Sequence, residues 1–247
     1  MKRIVVLVLC LCLLMTGCAE KEPTLTIPTA APTVSVETVT KQFTAEDGTL
    51  LLHLEYPQLT VTAPNTDAAQ AIQNRLNQLV QQHMASAFQL EGYAQEAYVQ
   101  STDWIGWSAS LQPQISRVDE TLISVSFEYN EFSGGAHPNT SVFSATYDCK
   151  TGQLLQLADL MAEGHAPTEL ASPVNSALAD SKALLYDDYE ALVGKAFDDG
   201  AYPCWYLTAD GLCFAFAPYI ISPYASGIVT ATILYEKVSE ILEQNYL

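Results

Sequence analysis

Apolar positions recur along the chain with two periods, and their succession predicts the elements. Gln42 to Thr62 alternates apolar and polar residues around Leu50, Leu52, Leu54 and Tyr56, the pattern of one or two strands ending near Pro64. After Asn65-Thr66-Asp67, which suit a helix N-cap, the period lengthens. Ile72, Leu76, Leu79, Val80, Met84, Ala87 and Phe88 recur at spacings of three and four, which predicts an amphipathic helix. Its other face carries Gln70, Gln73, Asn74, Asn77, Gln78 and Gln81 and reads as a solvated surface. Leu111 to Val118 and Leu122 to Phe132 form an antiparallel pair turning at Asp119-Glu120. In the second of these strands Ile123, Val125, Phe127 and Tyr129 occupy one face and Ser124, Ser126, Glu128 and Asn130 the other, so the strand reads as half-buried.

Val142 to Tyr147 and Gln153 to Leu157 make the next hairpin, around Asp148 to Gly152, and helical segments fill most of Ala158 to Phe197. Trp205 to Thr208 and Leu212 to Ala217 flank a turn at Ala209-Asp210-Gly211, which sets Cys213 opposite Leu207. Ile228 to Tyr235 is a last strand before a short helix from Glu236 to Asn245. Hairpins separated by helical blocks, rather than βαβ crossovers, predict an α+β fold: an antiparallel sheet with packed helices. The domain spans 42–247, and a division into intimately packed halves falls at 42–132 and 133–247.

The N-terminus follows a different pattern. Lys2 and Arg3 precede an apolar stretch from Ile4 to Met15, and Met15-Thr16-Gly17-Cys18 closes it. This is the form of a bacterial lipoprotein signal, residues 1–17, too short for a membrane span of roughly 20 apolar residues. Acyl chains on Cys18 contribute about 0.8 kcal/mol per buried methylene, enough when paired to hold the protein at a membrane surface outside the cytoplasm. Residues 18–41, rich in Thr, Pro, Val and Glu with Pro23, Pro28 and Pro32, read as an extended stalk.

The whole chain carries 10 Lys and Arg against 28 Asp and Glu. Loss of Lys2 and Arg3 with the signal leaves a formal charge of −20, which argues against nucleic-acid binding and favours cationic partners. Beyond the signal and Cys18, three cysteines remain, Cys149, Cys204 and Cys213, so no disulfide framework and no CxxC zinc site is expected.

Ser133-Gly134-Gly135-Ala136-His137-Pro138-Asn139 interrupts the strands. Two glycines permit positive φ, and Pro138 extends His137, as a sharp strand connection requires. No nucleophile elbow accompanies Ser133 and His137, and His53, His83 and His165 lack metal-ligand spacing. The expectation is therefore a protein without catalytic residues, metal or cofactor. Tyr219, Pro223, Tyr224 and Gly227 form an aromatic loop, with Tyr219 and Tyr224 the candidate ligand contacts. Gly134, Gly135, His137, Pro138, Pro223 and Gly227 are expected to shape their loops. Trp104 and Trp107 form a second aromatic cluster.

The Ser133-to-Asn139 motif, the Asp148-to-Gly152 turn, Leu157-Ala158-Asp159-Leu160, Gly211-Leu212, Pro218-Tyr219 and Ser222-Pro223-Tyr224-Ala225-Ser226-Gly227 together resemble the PdaC/RsiV-like superfamily, over roughly residues 43–245. In RsiV-type anti-sigma factors the extracellular module binds lysozyme; in PdaC-type deacetylases a similar module precedes a metal-dependent catalytic domain. Neither a sigma-binding segment nor that catalytic domain is recognisable here. Ile220 stands where the superfamily commonly has an acidic residue, so a contact from that carboxylate does not carry over. The resemblance implies a non-catalytic binding or sensory lipoprotein whose ligand is lysozyme, another cationic protein or peptidoglycan. The alternative is an accessory module for a separate enzyme that modifies the cell wall.

Overall fold

The computed structural model describes residues 31–247; the signal, Cys18 and residues 19–30 of the stalk lie outside the described residues. The described residues form eight strands in two sheets, with four α-helices. The α+β class holds, and the sheets are almost wholly antiparallel.

The first sheet has the order β1-β2-β3-β4-β5: β1 (Thr33–Thr44), β2 (Leu50–Thr62), β3 (Trp107–Val118), β4 (Leu122–Phe132) and β5 (Asn139–Asp148). The stretch 33–41, expected in the stalk, is instead β1, paired along its length with β2. After Pro32 the prolines cease and β-branched residues take over, which favours a strand.

Between β2 and β3 run α1 (Thr66–Met84) and α2 (Leu90–Gln100), and β2 pairs with β3 in parallel from Leu52↔Trp107 to Glu55↔Ser110. The expectation of hairpins alone is corrected here, because parallel neighbours need a crossover. Asn65 caps α1 by accepting the Ala68 amide at 3.2 Å. Ile72, Leu76, Val80 and Met84 bury the predicted face of α1 against Leu52, Leu54, Ile123, Val125 and Phe127.

The amide face of α1 is only partly solvated. Asn77 accepts from the Leu59 N–H at 2.9 Å and donates to the Leu59 carbonyl at 2.8 Å, and Gln73 accepts from the Val61 N–H at 3.0 Å. These amides complete the β2 edge beyond the point where β3 leaves it.

The second sheet is a meander of β6 (Cys204–Leu207), β7 (Gly211–Phe216) and β8 (Val229–Leu234). α3 (Ala171–Ala179) and α4 (Tyr189–Asp198) cover it, enclosing Val174, Leu178, Val193, Phe197, Phe214, Phe216 and Ile233. Cys213 faces Tyr206, one residue from the expected position, and Cys204 faces Ala215. The three cysteines are free thiols.

Two further expectations are corrected. Gln153 to Leu157 contributes a single bridge, Tyr147↔Leu154, rather than a strand. Residues 236–245 do not form one helix: Met161 bridges Leu242, and Glu243 donates to the Leu160 carbonyl at 2.8 Å. Because β5 pairs with β4, the two halves part after Asp148 and not after Phe132.

The halves meet through hydroxyls. β4 is buried on both faces at its start, where Ser124 is fully enclosed, against the half-buried expectation. Ser124 accepts the Leu207 amide at 3.0 Å, and Ser144 donates to the Trp205 carbonyl. The free edge of β6 thus stands on the face of the first sheet and takes its hydrogen bonds from side chains. Arg117 adds a clasp, donating to the Tyr235 hydroxyl at 2.8 Å and to the Tyr246 carbonyl at 2.6 Å.

Candidate functional site

The strand register sets what lies together at one end of the first sheet. Ser108 faces Phe132 and Glu131 faces Asn139, so the Ser133-to-Pro138 loop projects beside Trp107. A Cβ on Gly134 would lie 3.8 Å from the Trp107 ring nitrogen. Trp107 neighbours Trp104 at 5.7 Å between ring centroids, and Trp104 neighbours Tyr98 at the same distance. The Trp104 ring nitrogen donates to the Leu50 carbonyl at 2.9 Å, which fixes the cluster at the start of β2.

The loop after β7 arrives from the other half. Tyr224 stacks on His137 with centroids 3.8 Å apart and planes 20° from parallel. The Tyr219 hydroxyl lies 3.2 Å from His137 Nε2. His137 Nδ1 is 2.9 Å from the Pro138 carbonyl oxygen. A carbonyl only accepts, so Nδ1 carries a proton toward Pro138, and Nε2 shares the second contact with the Tyr219 hydroxyl. Both ring nitrogens are therefore engaged.

Backbone conformation supports this arrangement. Gly134 and Gly135 have φ of 95° and 98°, a region side chains rarely adopt. Tyr219 has φ of 71° and is alone among the described non-glycine residues in this respect. A bulky residue held there costs on the order of 1–3 kcal/mol, a strain found preferentially at functional sites. The turn is closed by the Tyr219 amide donating to the Ser222 carbonyl at 2.9 Å, with Ser222 fully buried. Tyr219 remains 58% exposed and Ile220 55%.

Of the residues singled out in the sequence, His137, Tyr219 and Tyr224 come into contact, and Pro138 supplies the carbonyl that orients His137. Pro223 and Gly227 bracket the turn that carries Tyr224. Carboxylates lie close by in the chain. Tyr129 donates to Glu131 at the loop base, and burial followed by Glu131 pushes the Tyr129 hydroxyl pKa upward. Asp187 follows Tyr186, whose amide donates to the Ile221 carbonyl at 2.9 Å. Among the described residues no group of three or more His, Cys, Asp or Glu side chains is placed to hold a metal ion.

The remaining thiols are not poised for chemistry. Burial pushes Cys149 up to about 12, with Asp119 and Asp148 adding to it, and pushes Cys204 up to about 11. Cys149 lines a cleft of about 320 Å³ with Pro32, Asn65, Glu120 and Lys150. That cleft lies at the opposite end of the first sheet from His137, beside the point where β1 begins.

Residues 43–140 match a family model described as Deacetylase PdaC, and residues 158–236 match DUF3298, a protein family of unknown function. The chain thus carries a PdaC-like segment followed by a DUF3298-like one. Its PdaC half ends at the start of β5, and its DUF3298 half covers the second sheet and its helices. No curated protein matches the chain. A DUF3298 family member from Bacteroides fragilis has a similar crystal structure, with a TM-score of 0.60 and 18% identity over 88% of this chain and 96% of that one. A DUF3298 family protein from Pseudomonas aeruginosa aligns with a TM-score of 0.53 and 20% identity over 89% of this chain and 97% of that one. At these identities the likeness concerns the fold. The His137–Tyr219–Tyr224 contact joins the PdaC half to the DUF3298 half.

Proposed function

We propose that the protein is a non-catalytic binding or sensory lipoprotein of a bacterial cell envelope, tethered through Cys18, and that the aromatic end around Tyr219 and Tyr224 meets its ligand. The observation that carries this reading is Tyr219: an exposed ring on strained backbone, hydrogen-bonded to His137, which in turn stacks on Tyr224. Such preordered aromatic area lowers the entropy cost of binding. The formal charge of −20 favours a cationic ligand, and lysozyme is the first candidate, with peptidoglycan fragments second.

Because attraction between exposed charges is screened beyond about 8 Å at physiological salt, charge alone gives only salt-labile association. The expected result is saturable lysozyme binding at physiological salt that weakens at least tenfold in Tyr224→Ala while the protein stays folded. Binding that disappears at that salt, or that any basic protein of similar charge reproduces, rejects lysozyme. The match of 43–140 to a family described as a deacetylase then favours the second reading, an accessory module for a separate wall-modifying enzyme.

A further inference from the structure

Two strand edges in this protein are finished by side chains, whereas among the described residues no hydrogen bond completes the outer edge of β1. Asn77 and Gln73 complete β2, and Ser124 and Ser144 complete β6. β1 is the outermost strand of its sheet, and none of the described strands lies beyond it. An open edge of this length is a template for another strand unless something blocks it.

The direction of its backbone groups can be worked out. Leu59 and Val61 spend their amides on α1 side chains, so odd-numbered β2 residues in this stretch turn away from β1. The partners of the even-numbered ones, such as Gln58↔Glu37 and Tyr56↔Val39, are odd-numbered in β1. Past the bulge, where Leu51 is skipped, the Ala45 amide still donates to the Thr49 carbonyl at 2.9 Å, which keeps the same parity. Val34, Val36, Thr38, Thr40 and Gln42 therefore direct their amide and carbonyl groups outward.

We infer that β1 pairs antiparallel with β1 of a second copy of this chain, with Val39 facing Val39 of the partner subunit on the two-fold axis. Three features select this register. It joins even-numbered residues with even-numbered ones, Thr38 with Thr40 and Val36 with Gln42, so the outward groups meet in hydrogen-bonded pairs. It places Val39, and Glu37 with Lys41 on either side, in non-hydrogen-bonded pairs, where side chains approach most closely, with Cα atoms about 4.5 Å apart. Finally, it sets each Glu37 opposite Lys41, the two charged residues of β1, twice per dimer. Opposite charges directly across strands are favourable, whereas like charges are not. No proline interrupts β1, and its bulge lies at the far end, between Phe43 and Thr44.

Lys41 makes the proposal easy to reject. A lysine on an edge strand ordinarily blocks pairing, in which case Lys41→Ala increases association. Under the proposed register it decreases it.

The test is mild oxidation of membranes from cells that make the full chain carrying Val39→Cys, with the parent chain as control for the native cysteines. Pairing on the axis gives a covalent dimer at Val39→Cys at least fivefold above Val36→Cys and above the parent. In the Val39→Cys background, Lys41→Glu lowers the yield severalfold, and adding Glu37→Lys restores it. Thr38→Pro, which removes an outward amide and spares the β2 pairs, abolishes it without changing the amount of protein made. A Val39→Cys yield equal to the parent, a higher yield with Lys41→Ala, or failure of the charge exchange to restore cross-linking overturns the inference.

Discussion

The Ser124 hydroxyl accepts the Leu207 amide at 3.0 Å and shares a second bond of 2.7 Å with the Thr146 hydroxyl, all within the buried seam between the two sheets. Leu207 belongs to a strand edge that has no backbone partner on that side. Ser124→Ala strands this amide, and a buried unpaired donor costs about 1–3 kcal/mol. Thermal or urea unfolding of Ser124→Ala is expected to show a loss of that size, and Ser124→Thr a smaller one.

Asn77 makes the corresponding test at β2. Replacing it with leucine keeps the helix but leaves the Leu59 amide and carbonyl without their 2.9 and 2.8 Å partners. A destabilisation of about 1–3 kcal/mol is expected, with faster amide exchange at Leu59. Gln78→Leu on the exposed part of the same helix is the control and should leave both unchanged.

His83 gives a pH dependence. Its ring stacks on Phe143 with centroids 3.4 Å apart and planes 6° from parallel, and burial lowers its pKa. The unfolded chain thus takes up a proton before the folded one does. The stability from the neutral ring is complete above the unfolded value of about 6.5 and is lost as pH falls through that value toward the folded one. Urea midpoints between pH 8 and 5 should therefore fall more steeply for the parent than for His83→Phe. Parallel curves contradict this.

Gly152 and Gly135 both have positive φ, 70° and 98°, but only one is crowded. A Cβ on Gly152 would lie 3.1 Å from the Ala68 carbonyl oxygen on α1, whereas Gly135 has nothing within 4 Å. Gly135→Ala is expected to cost about 1–2 kcal/mol from backbone strain alone, and Gly152→Ala more. Melting temperatures of the two variants check the order.

Anchoring is tested at Cys18. Cys18→Ala should release the protein from membranes or leave the precursor unprocessed. A variant that stays membrane-bound, matures to the same size and keeps the acyl label refutes the lipoprotein assignment.

Much of this architecture is written locally. The spacing of Ile72, Leu76, Val80 and Met84 gives the α1 face, and Asp119 announces its turn by accepting the Thr121 and Leu122 amides at 2.8 and 2.9 Å. That turn also implies that Trp107 lies beside Ser133, so the Trp104–Trp107 cluster could have been placed next to the Ser133-to-Pro138 loop from hairpin register. What was not legible depends on partners distant in sequence. β1 resembles a stalk until β2 is placed beside it, and parallel pairing of β2 with β3 has no local signature. The burial of Ser124 follows from where β6 lands. Residues 236–245 have helical spacing, yet contacts of Ile241, Leu242 and Glu243 with the 160–162 segment hold them in another form. At the candidate site the loop chemistry of Gly134, Gly135 and Pro138 was readable, while the stacking of Tyr224 on His137 joins two halves that the chain keeps far apart.

The short parallel ladder between β2 and β3 has a kinetic consequence. β1–β2 and β3–β4–β5 are joined by tight turns and can assemble from neighbouring residues, whereas Leu52 must find Trp107 across the span of two helices. Closing so long a loop comes late, and parallel pairing gives less stability per residue once it has closed. The order of assembly is then two hairpin units first and their union afterwards, with α1 already docked on β2 as the surface that β3 and β4 meet. Unfolding is expected to run the same path backwards, with the sheet parting along this line before either unit comes undone.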